Sequence, residues 1–548
     1  GMLVSYQMNV IFYDAMIMLP LVIVYLEELL DGGRPYRYAF ILGLTVFLQF
    51  YMGYMISIFI VLYSCYYVSP RLSIQGTLKQ KLKHFLSPLV KTFAFSVIGV
   101  ATASVLIVPV FYNLLESKGQ VGDAMQFSFA FQINPVDILS KLAIGGFDTA
   151  SGWSAGPNLP NIYIGALGFL GFILYFTSKQ VVKEKRWAAG AVTLVFFISF
   201  VNEFVSKIWH MGQNPAGFFF RFSWLFSFFM LVLAYQVVKG QVEISRRGKL
   251  LSVVLLVLSA IYLYTKKFTY LPKTQPEALT QFLSKNFIVF WILLLAITTA
   301  CSYLYWSRSR KAPQVKKMVL LIAGAIVLLL GILLQTGYFL SQVVLTLLVY
   351  LAVIFLLGSR MTRLAILAVS ALTIFELGYN AYLSQVTFGY ADVDKFVDAT
   401  VSVKQVTDDV QKQADQPFYR IATTFAYSKT VPSLVSYPGL STFSSSLERT
   451  TMDQFAFMGD QGINAATEYE NGTLLTDALY GVRYYIDVKD LDPTEKEAHP
   501  ERMYFTRFAS RFDMNRYFTQ KVYEDERYIV YENPNSFPLA YGTNDLVR

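Results

Sequence analysis

The chain has 548 residues, of which 55% are hydrophobic, 16% aromatic and only 15% charged. Soluble domains carry about 25% charged residues, so this balance excludes an ordinary soluble enzyme and indicates a chain embedded in a membrane. The formal charge of +9 does not point to nucleic acid, because the basic residues fall in short clusters between apolar runs and build no continuous basic face.

The chain opens inside an amphipathic-to-apolar stretch without the basic segment and small-residue cleavage site of a signal peptide, as expected of a sequence that starts mid-protein. Apolar runs of about 17 to 25 residues, long enough to cross a bilayer, recur as far as residue 384 and predict roughly twelve spans. The first run contains Asp14, in Asn9-Val10-Ile11-Phe12-Tyr13-Asp14-Ala15. The next, Tyr36 to Val68, would be about 50 Å long as one helix. That is too long for one crossing, so a break around Gln49 to Gly53 is expected, giving two short spans.

Charge sorts the connections. Arg71, Lys79, Lys81, Lys83 and Lys91 form one basic cluster, and Lys179, Lys183, Lys185 and Arg186 a second. Lys239, Arg246, Arg247 and Lys249 follow, then Arg308, Arg310, Lys311, Lys316 and Lys317, and last Arg360 and Arg363. The positive-inside rule makes these cytoplasmic. The intervening loops, 114–158, 206–217, 266–286 and 335–341, are poorer in basic residues, although 266–286 carries four. The alternation places residues 385–548 outside the cytoplasm. The expected architecture is therefore an α-helical polytopic membrane domain over residues 1–384 and an extracytoplasmic α/β soluble domain over residues 385–548. In that tail, Phe418 to Thr424 and Val482 to Val488 read as strands, and Asn471-Gly472-Thr473 as a turn. Cys65 and Cys301 both lie in apolar runs, away from any disulfide or metal framework.

Polar groups in or against the membrane carry the chemical argument, since each costs about 2.5 to 3.5 kcal/mol at mid-helix. Asp14 falls toward the outer half of the first span, where it either caps the helix or acts on substrate. Trp209-His210-Met211-Gly212-Gln213-Asn214 leads into Phe218-Phe219-Phe220-Arg221-Phe222-Ser223. Arg221, one turn inside an aromatic helix start and close to a His and two side-chain amides, offers a fork of donors for a phosphate; the bland alternative is a snorkelling Arg. The outer loop 114–158 contains Asn134-Pro135-Val136-Asp137 and Gly145-Gly146-Phe147-Asp148, and a loop of that length is usually functional or disordered. Its aromatics, Trp153 among them, suit a sugar ring or the membrane interface. Glu203 and Glu376 near outer span ends are either carboxylate bases or helix-end charges. With three His in the chain no metal cluster is legible, and a divalent cation held by carboxylates stays open. No phosphate-binding glycine loop, dinucleotide fingerprint or nucleophile elbow stands in a strand-to-helix setting.

Several stretches together resemble the YfhO family of bacterial membrane proteins, which is assigned to the class C glycosyltransferases. They are Asn9 to Pro20, Phe50-Tyr51-Met52-Gly53-Tyr54, Leu159-Pro160-Asn161-Ile162-Tyr163-Ile164-Gly165, and Trp209-His210 through Arg221-Phe222-Ser223. In the tail, Leu479-Tyr480-Gly481-Val482-Arg483-Tyr484-Tyr485 and Tyr531-Glu532-Asn533-Pro534-Asn535 extend the resemblance. Gln49 stands where the family usually has Asn before Phe-Tyr, and Pro215-Ala216-Gly217 where it usually has Pro-Asn-Gly. The family's earlier spans, with an acidic residue in the first outer loop that resembles the superfamily's base, precede the region matched here, and members continue past the position of Arg548.

The resemblance implies a GT-C-like membrane enzyme of the bacterial plasma membrane that moves a sugar from an undecaprenyl-phosphate carrier to an outer acceptor, lipoteichoic or wall teichoic acid. It implies Arg221 and His210 as holders of the donor phosphate. Gln49, Tyr54, Asp148, Asn161, Tyr163, Trp209, Gln213 and Asn214 are then expected to contact substrate, with Asp14 a candidate base if none lies upstream. Two other classes fit the same composition: a transporter or flippase of lipid-linked glycans, which would place ionisable residues near the midplane or show repeated halves, and a non-catalytic envelope scaffold.

Overall fold

The computed structural model describes residues 10–116, 128–146, 159–212, 215, 219–239, 246–265, 338–358, 363–387, 392–415, 418–489 except 445 and 464, 506–507, 517, 520–538 and 540. They belong to two compact units, one of residues 1–107 with 124–389 and one of residues 108–123 with 390–548.

The first unit is helical. In α1 (Tyr13–Leu30) the buried residues Ala15, Leu19, Val22, Ile23, Leu26, Leu29 and Leu30 recur every three or four positions, the spacing of one helix face. α2 (Pro35–Leu48) starts on a proline, whose missing N–H is harmless in a first turn. It stops at Gln49, where the backbone leaves the helical region (φ −151°, ψ 89°), and α3 (Phe50–Val68) starts at the next residue. The break expected from length alone is thus a single residue. Gly53 permits the tight corner, since a Cβ there would lie 3.0 Å from the Val46 Cα.

α4 (Leu78–Thr102) opens with a Thr77/Gln80 capping box and crosses α2 closely. A Cβ on Gly43 would sit 2.6 Å from the Gly99 carbonyl oxygen, and one on Gly99 2.6 Å from that of Ala39. Such small-residue contacts bring apolar helices together where lipid offers no hydrophobic driving force. α5 (Ser104–Glu116), whose residues from Val108 on are counted with the second unit, α6 (Gly165–Thr177), α7 (Lys183–Val201), the short α8 (Glu203–Trp209), α9 (Ser223–Lys239), α10 (Arg246–Thr265), α11 (Tyr338–Gly358) and α12 (Arg363–Thr387) follow. A Cβ on Gly168 would meet Leu231, and one on Gly171 would meet Ala234 at 2.7 Å. The two contacts keep the same offset along α6 and α9, so these helices run parallel and begin at the same end of the bundle.

Four described helices are long and apolar enough to cross a membrane: Val10–Leu30, Phe50–Ser73, Leu78–Thr102 and Ala365–Gln385. Shorter apolar helices stand at Pro35–Leu48, Ser104–Leu115, Gly165–Thr177, Ser223–Lys239 and Leu345–Ile354. The spans expected between residues 266 and 337 lie outside the described residues. The far end of α3 carries its own polar cluster. There Tyr63 donates to Glu27 at 2.5 Å, Tyr67 to Asp31 at 2.7 Å and Arg71 to the Leu30 carbonyl at 2.6 Å. Lys185 lies over the rings of Tyr66 and Tyr67, so residues from two of the basic clusters meet at this end.

The second unit is α/β. Its four-stranded sheet runs in the order β1 (Arg420–Thr423), β6 (Val482–Val488), β9 (Tyr528–Glu532) and β8 (Gln520–Glu524), with only the β1–β6 pair parallel. β2 (Phe425–Ala426) pairs with β7 (Thr506–Arg507), and β3 (Thr442–Phe443), β5 (Ala466–Glu468) and β4 (Gln461–Ile463) form a small third sheet. The central β6 buries Tyr484, Ile486 and Val488 on one face and Tyr485 on the other, where Arg483 and Asp487 are only partly buried. Tyr484, Ile486 and Val488 pack with Val403, Val406 and Val410 of α13 (Val393–Gln413). Tyr485 turns to the opposite face, to Phe455, Tyr469 and Tyr480, beside α15 (Arg449–Phe457) and α16 (Leu474–Leu479), while α14 (Val431–Val435) adds Val431 and Val435 to the first face. Asn471 and Thr473 lie in a turn into α16, where the Thr473 side chain caps the helix.

Candidate functional site: a cation on aromatic faces at the helix ends

The corner between α2 and α3 is tied to the start of α1 by Gln49, whose Nε2 donates to the Ile11 carbonyl at 3.0 Å. In the first turns of α3, the Tyr54 hydroxyl donates to the Ile208 carbonyl at 2.8 Å and the Tyr51 hydroxyl meets His210 Nδ1 at 2.6 Å. Both bonds fasten α8 to α3. After α8 the chain turns through Met211 (φ 56°) and Gly212 (φ 83°), and the Gly212 N–H closes the helix on the Lys207 carbonyl.

His210 is 3% exposed, and its Nε2 lies 2.8 Å from the Phe219 carbonyl oxygen. A carbonyl can only accept, so Nε2 carries the proton and Nδ1 accepts from Tyr51. The ring sits in the connection between α7 and α9. Burial, reinforced by the Arg221 charge and opposed by the Phe219 hydrogen bond, pushes its pKa down to about 3. With its pKa held down, His210 is neutral with both nitrogens engaged, and its geometry orients Tyr51.

Arg221 lies against two aromatic faces, 5.3 Å from the centroid of Tyr51 and 5.6 Å from that of Phe12. A guanidinium is weakly hydrated and stacks well on such faces. Trp209 is 2% exposed and stacked on Phe222 (4.9 Å, 10°) and Phe196 (5.2 Å, 22°), while its indole N–H donates to the Ser199 hydroxyl at 2.9 Å. It supports the floor of the site.

A second polar group involves the segment 128–146. Asn134 caps a 3₁₀ turn over Pro135–Leu142. Tyr262 donates to Asp137 at 2.6 Å, Thr346 accepts from the Ile144 N–H at 2.9 Å, and Asn380 accepts from the Gly145 N–H at 2.8 Å. Side chains of α10, α11 and α12 thus hold this segment. Lys141, 1% exposed, donates to Asn161 Oδ1 at 3.1 Å. Glu376 is fully buried: it accepts from Tyr163 at 2.7 Å and takes the Ala166 N–H on both carboxylate oxygens at 2.8 and 2.9 Å. It caps α6 from a distant helix, over Gly165 (φ 78°), where a Cβ would approach the carboxylate to 3.4 Å. The helix-end reading of Glu376 is the one its contacts describe. Glu203 likewise pairs with Lys207 at 2.7 Å within α8.

The structure thus gathers Gln49, Tyr54, Trp209, His210 and Arg221, and sets Asn161 and Tyr163 ahead of α6, at the same end. Asp14 is exposed in the first turn of α1, two residues beyond Phe12. Asp148, Gln213 and Asn214 lie outside the described residues. Sequence reading missed Phe12, Tyr51, Ser199 and Lys141 as contributors. For Tyr51 a signal existed, since it follows the helix break directly. Among the described residues, no group of three or more His, Cys, Asp or Glu is placed to hold a metal.

Apolar helices packed through glycine contacts, with a cation laid on aromatic faces at one end, define a polytopic membrane protein whose polar site is built from helix ends. The whole chain, residues 1–548, matches the family described as bacterial membrane protein YfhO, and it belongs to that family. No curated protein and no solved structure matches it.

Proposed function

We propose that this protein is a membrane glycosyltransferase that takes a sugar from an undecaprenyl-phosphate carrier and passes it to an acceptor outside the cytoplasm, with lipoteichoic or wall teichoic acid as the polymer. Family membership supports a glycosyltransferase-like role in the membrane. The observation that carries the finer reading is the placement of Arg221 between Phe12 and Tyr51 at the helix ends. A lipid-linked donor keeps its chain in the bilayer and its phosphate at the surface, where helix-end side chains reach it.

In the proposed reaction an acceptor hydroxyl loses its proton to a carboxylate and attacks the anomeric carbon. The bond from that carbon to the lipid phosphate breaks, and the departing phosphate takes the negative charge. Arg221 neutralises that charge and holds the oxygens in its fork. His210 keeps the Tyr51 ring beneath the guanidinium. Asp14, exposed in the first turn of α1, is the candidate for the carboxylate.

The test is transfer of labelled sugar from a polyprenyl-phosphate donor to teichoic acid by the full-length protein in liposomes. Arg221→Ala is expected to cut transfer about 10²-fold with insertion unchanged. Wild-type transfer in that variant would remove Arg221 from the reaction, and translocation of the lipid-linked sugar without acceptor would favour a transporter.

A further inference from the structure

Among the described residues, three buried hydrogen-bonding groups at this end of the first unit have no partner: Asn161 Nδ2, Ser223 Oγ and Trp224 Nε1. Asn161 is 2% exposed, Ser223 fully buried and Trp224 7% exposed. Leaving a buried donor unpaired is costly, and native proteins pair more than nine in ten of them. Three such groups around the starts of two packed helices call for an acceptor that the folded chain does not itself supply.

Their placement says what kind. α6 and α9 are parallel, as the matched contacts of Gly168 with Leu231 and Gly171 with Ala234 require, so their N-terminal ends lie on one side. Ser223 and Trp224 occupy the first turn of α9, a helix of 17 residues. Helical side chains lean toward the N-terminus, which carries these two groups toward the positive end of the helix dipole; the Ser223 and Leu225 N–H groups are already bonded to the Phe220 and Phe222 carbonyls, so the side chains are the donors on offer. Arg221 stands two residues before that turn, and Asn161 four residues ahead of α6, its Oδ1 already bonded to Lys141. Glu376 occupies the α6 terminus, so α9 is the end left to receive an anion. Neutral donors joined to a helix N-terminus and a guanidinium match an oxyanion with several acceptor oxygens.

We infer that the first turn of α9 is an oxyanion-binding site in which Ser223 Oγ and Trp224 Nε1 donate to a phosphate, with Asn161 Nδ2 completing the shell. The phosphate is either a lipid headgroup or a soluble anion. The lipid assignment rests on the function proposed above, whereas the oxyanion site rests on the unpartnered groups alone.

Trp224→Phe and Ser223→Ala test it, because each removes a group that bonds nothing in the ligand-free protein and leaves the packing in place. The full-length protein in detergent is titrated calorimetrically with farnesyl phosphate, inorganic phosphate and farnesol, and its melting temperature is recorded without ligand. Each variant is expected to melt at or above the wild-type temperature and to bind farnesyl phosphate about tenfold more weakly. Wild-type affinity in both variants, or a lowered melting temperature with unchanged affinity, overturns the site. Binding of farnesyl phosphate but not farnesol supports it, and displacement by equimolar inorganic phosphate supports it with a soluble anion as ligand. Normal binding by Arg221→Ala alongside weakened binding by Trp224→Phe would remove the Arg221 role proposed above and leave this site standing.

Discussion

Acidification should weaken this protein through His210. Its pKa is pushed down to about 3 in the folded state, against about 6.5 in an unfolded chain. Between those values the unfolded chain holds a proton that the native ring refuses, so stability rises with pH across this window and is lost as pH falls. Integrated from about pH 7.5 down to about pH 5, the loss is about 2 kcal/mol. Reversible denaturant unfolding in mixed micelles at the two pH values measures it. His210→Gln can still donate to the Phe219 carbonyl and accept from Tyr51, but it cannot titrate, so its loss over the same interval should be smaller than the wild type's by that amount. Equal losses in both proteins would show that the buried, neutral imidazole has been assigned wrongly.

Glu376→Leu leaves the Tyr163 hydroxyl and the Ala166 N–H without their buried acceptor, so it should cost about 3 kcal/mol, with Glu376→Gln recovering most of it in the same unfolding assay. Tyr51→Phe orphans His210 Nδ1; it should lower stability by about 1 to 3 kcal/mol and, by loosening the support of Arg221, reduce sugar transfer. In the second unit the Glu468 side chain hydrogen-bonds that of Glu470 and raises its pKa to about 7, with partial burial adding to the effect, while Lys429 lies 2.7 Å from Glu468. The folded unit therefore holds an extra proton between about pH 4.5 and 7, and stability falls as pH rises through that window. Proton release near neutrality, followed by carboxyl NMR, should vanish in Glu470→Gln. Arg483→Leu removes the partner of Glu532 at 2.8 Å and of the more exposed Asp415 at 3.0 Å, and should destabilise this unit by about 1 kcal/mol, less at high salt.

Local signals in the sequence carried some of this fold and not the rest. The break at Gln49 was legible because an apolar run of that length cannot be one crossing, and strand β6 because Val482 to Val488 is dense in β-branched and aromatic residues. The aromatic approach to Arg221 was legible too. The partners were not. The Tyr51–His210 bond joins residues 159 positions apart and the cap from Glu376 to Ala166 spans 210, distances at which spacing says nothing. The same limit explains His210, whose composition suggests a cation but whose protonation is set by a carbonyl and a phenol brought to it by folding. The partners of Trp209, Ser199, Phe196 and Phe222, are likewise set by folding. Unpaired donors such as Trp224 Nε1 are a property of packing and leave no mark in the sequence.

The most direct check is on which side of the membrane the Arg221 end faces. With Cys65 and Cys301 replaced by Ser, single cysteines at Ile208, on α8 beside the site, and at Lys79, in the first turn of α4, can be exposed to a membrane-impermeant maleimide in intact cells. A third at Leu475, 66% exposed in the second unit, reports on the tail. Labelling is expected at 208 and 475 in intact cells and at 79 only after permeabilisation. Labelling at 79 in intact cells, with 208 and 475 protected, would turn the site toward the cytoplasm and contradict transfer to an external acceptor.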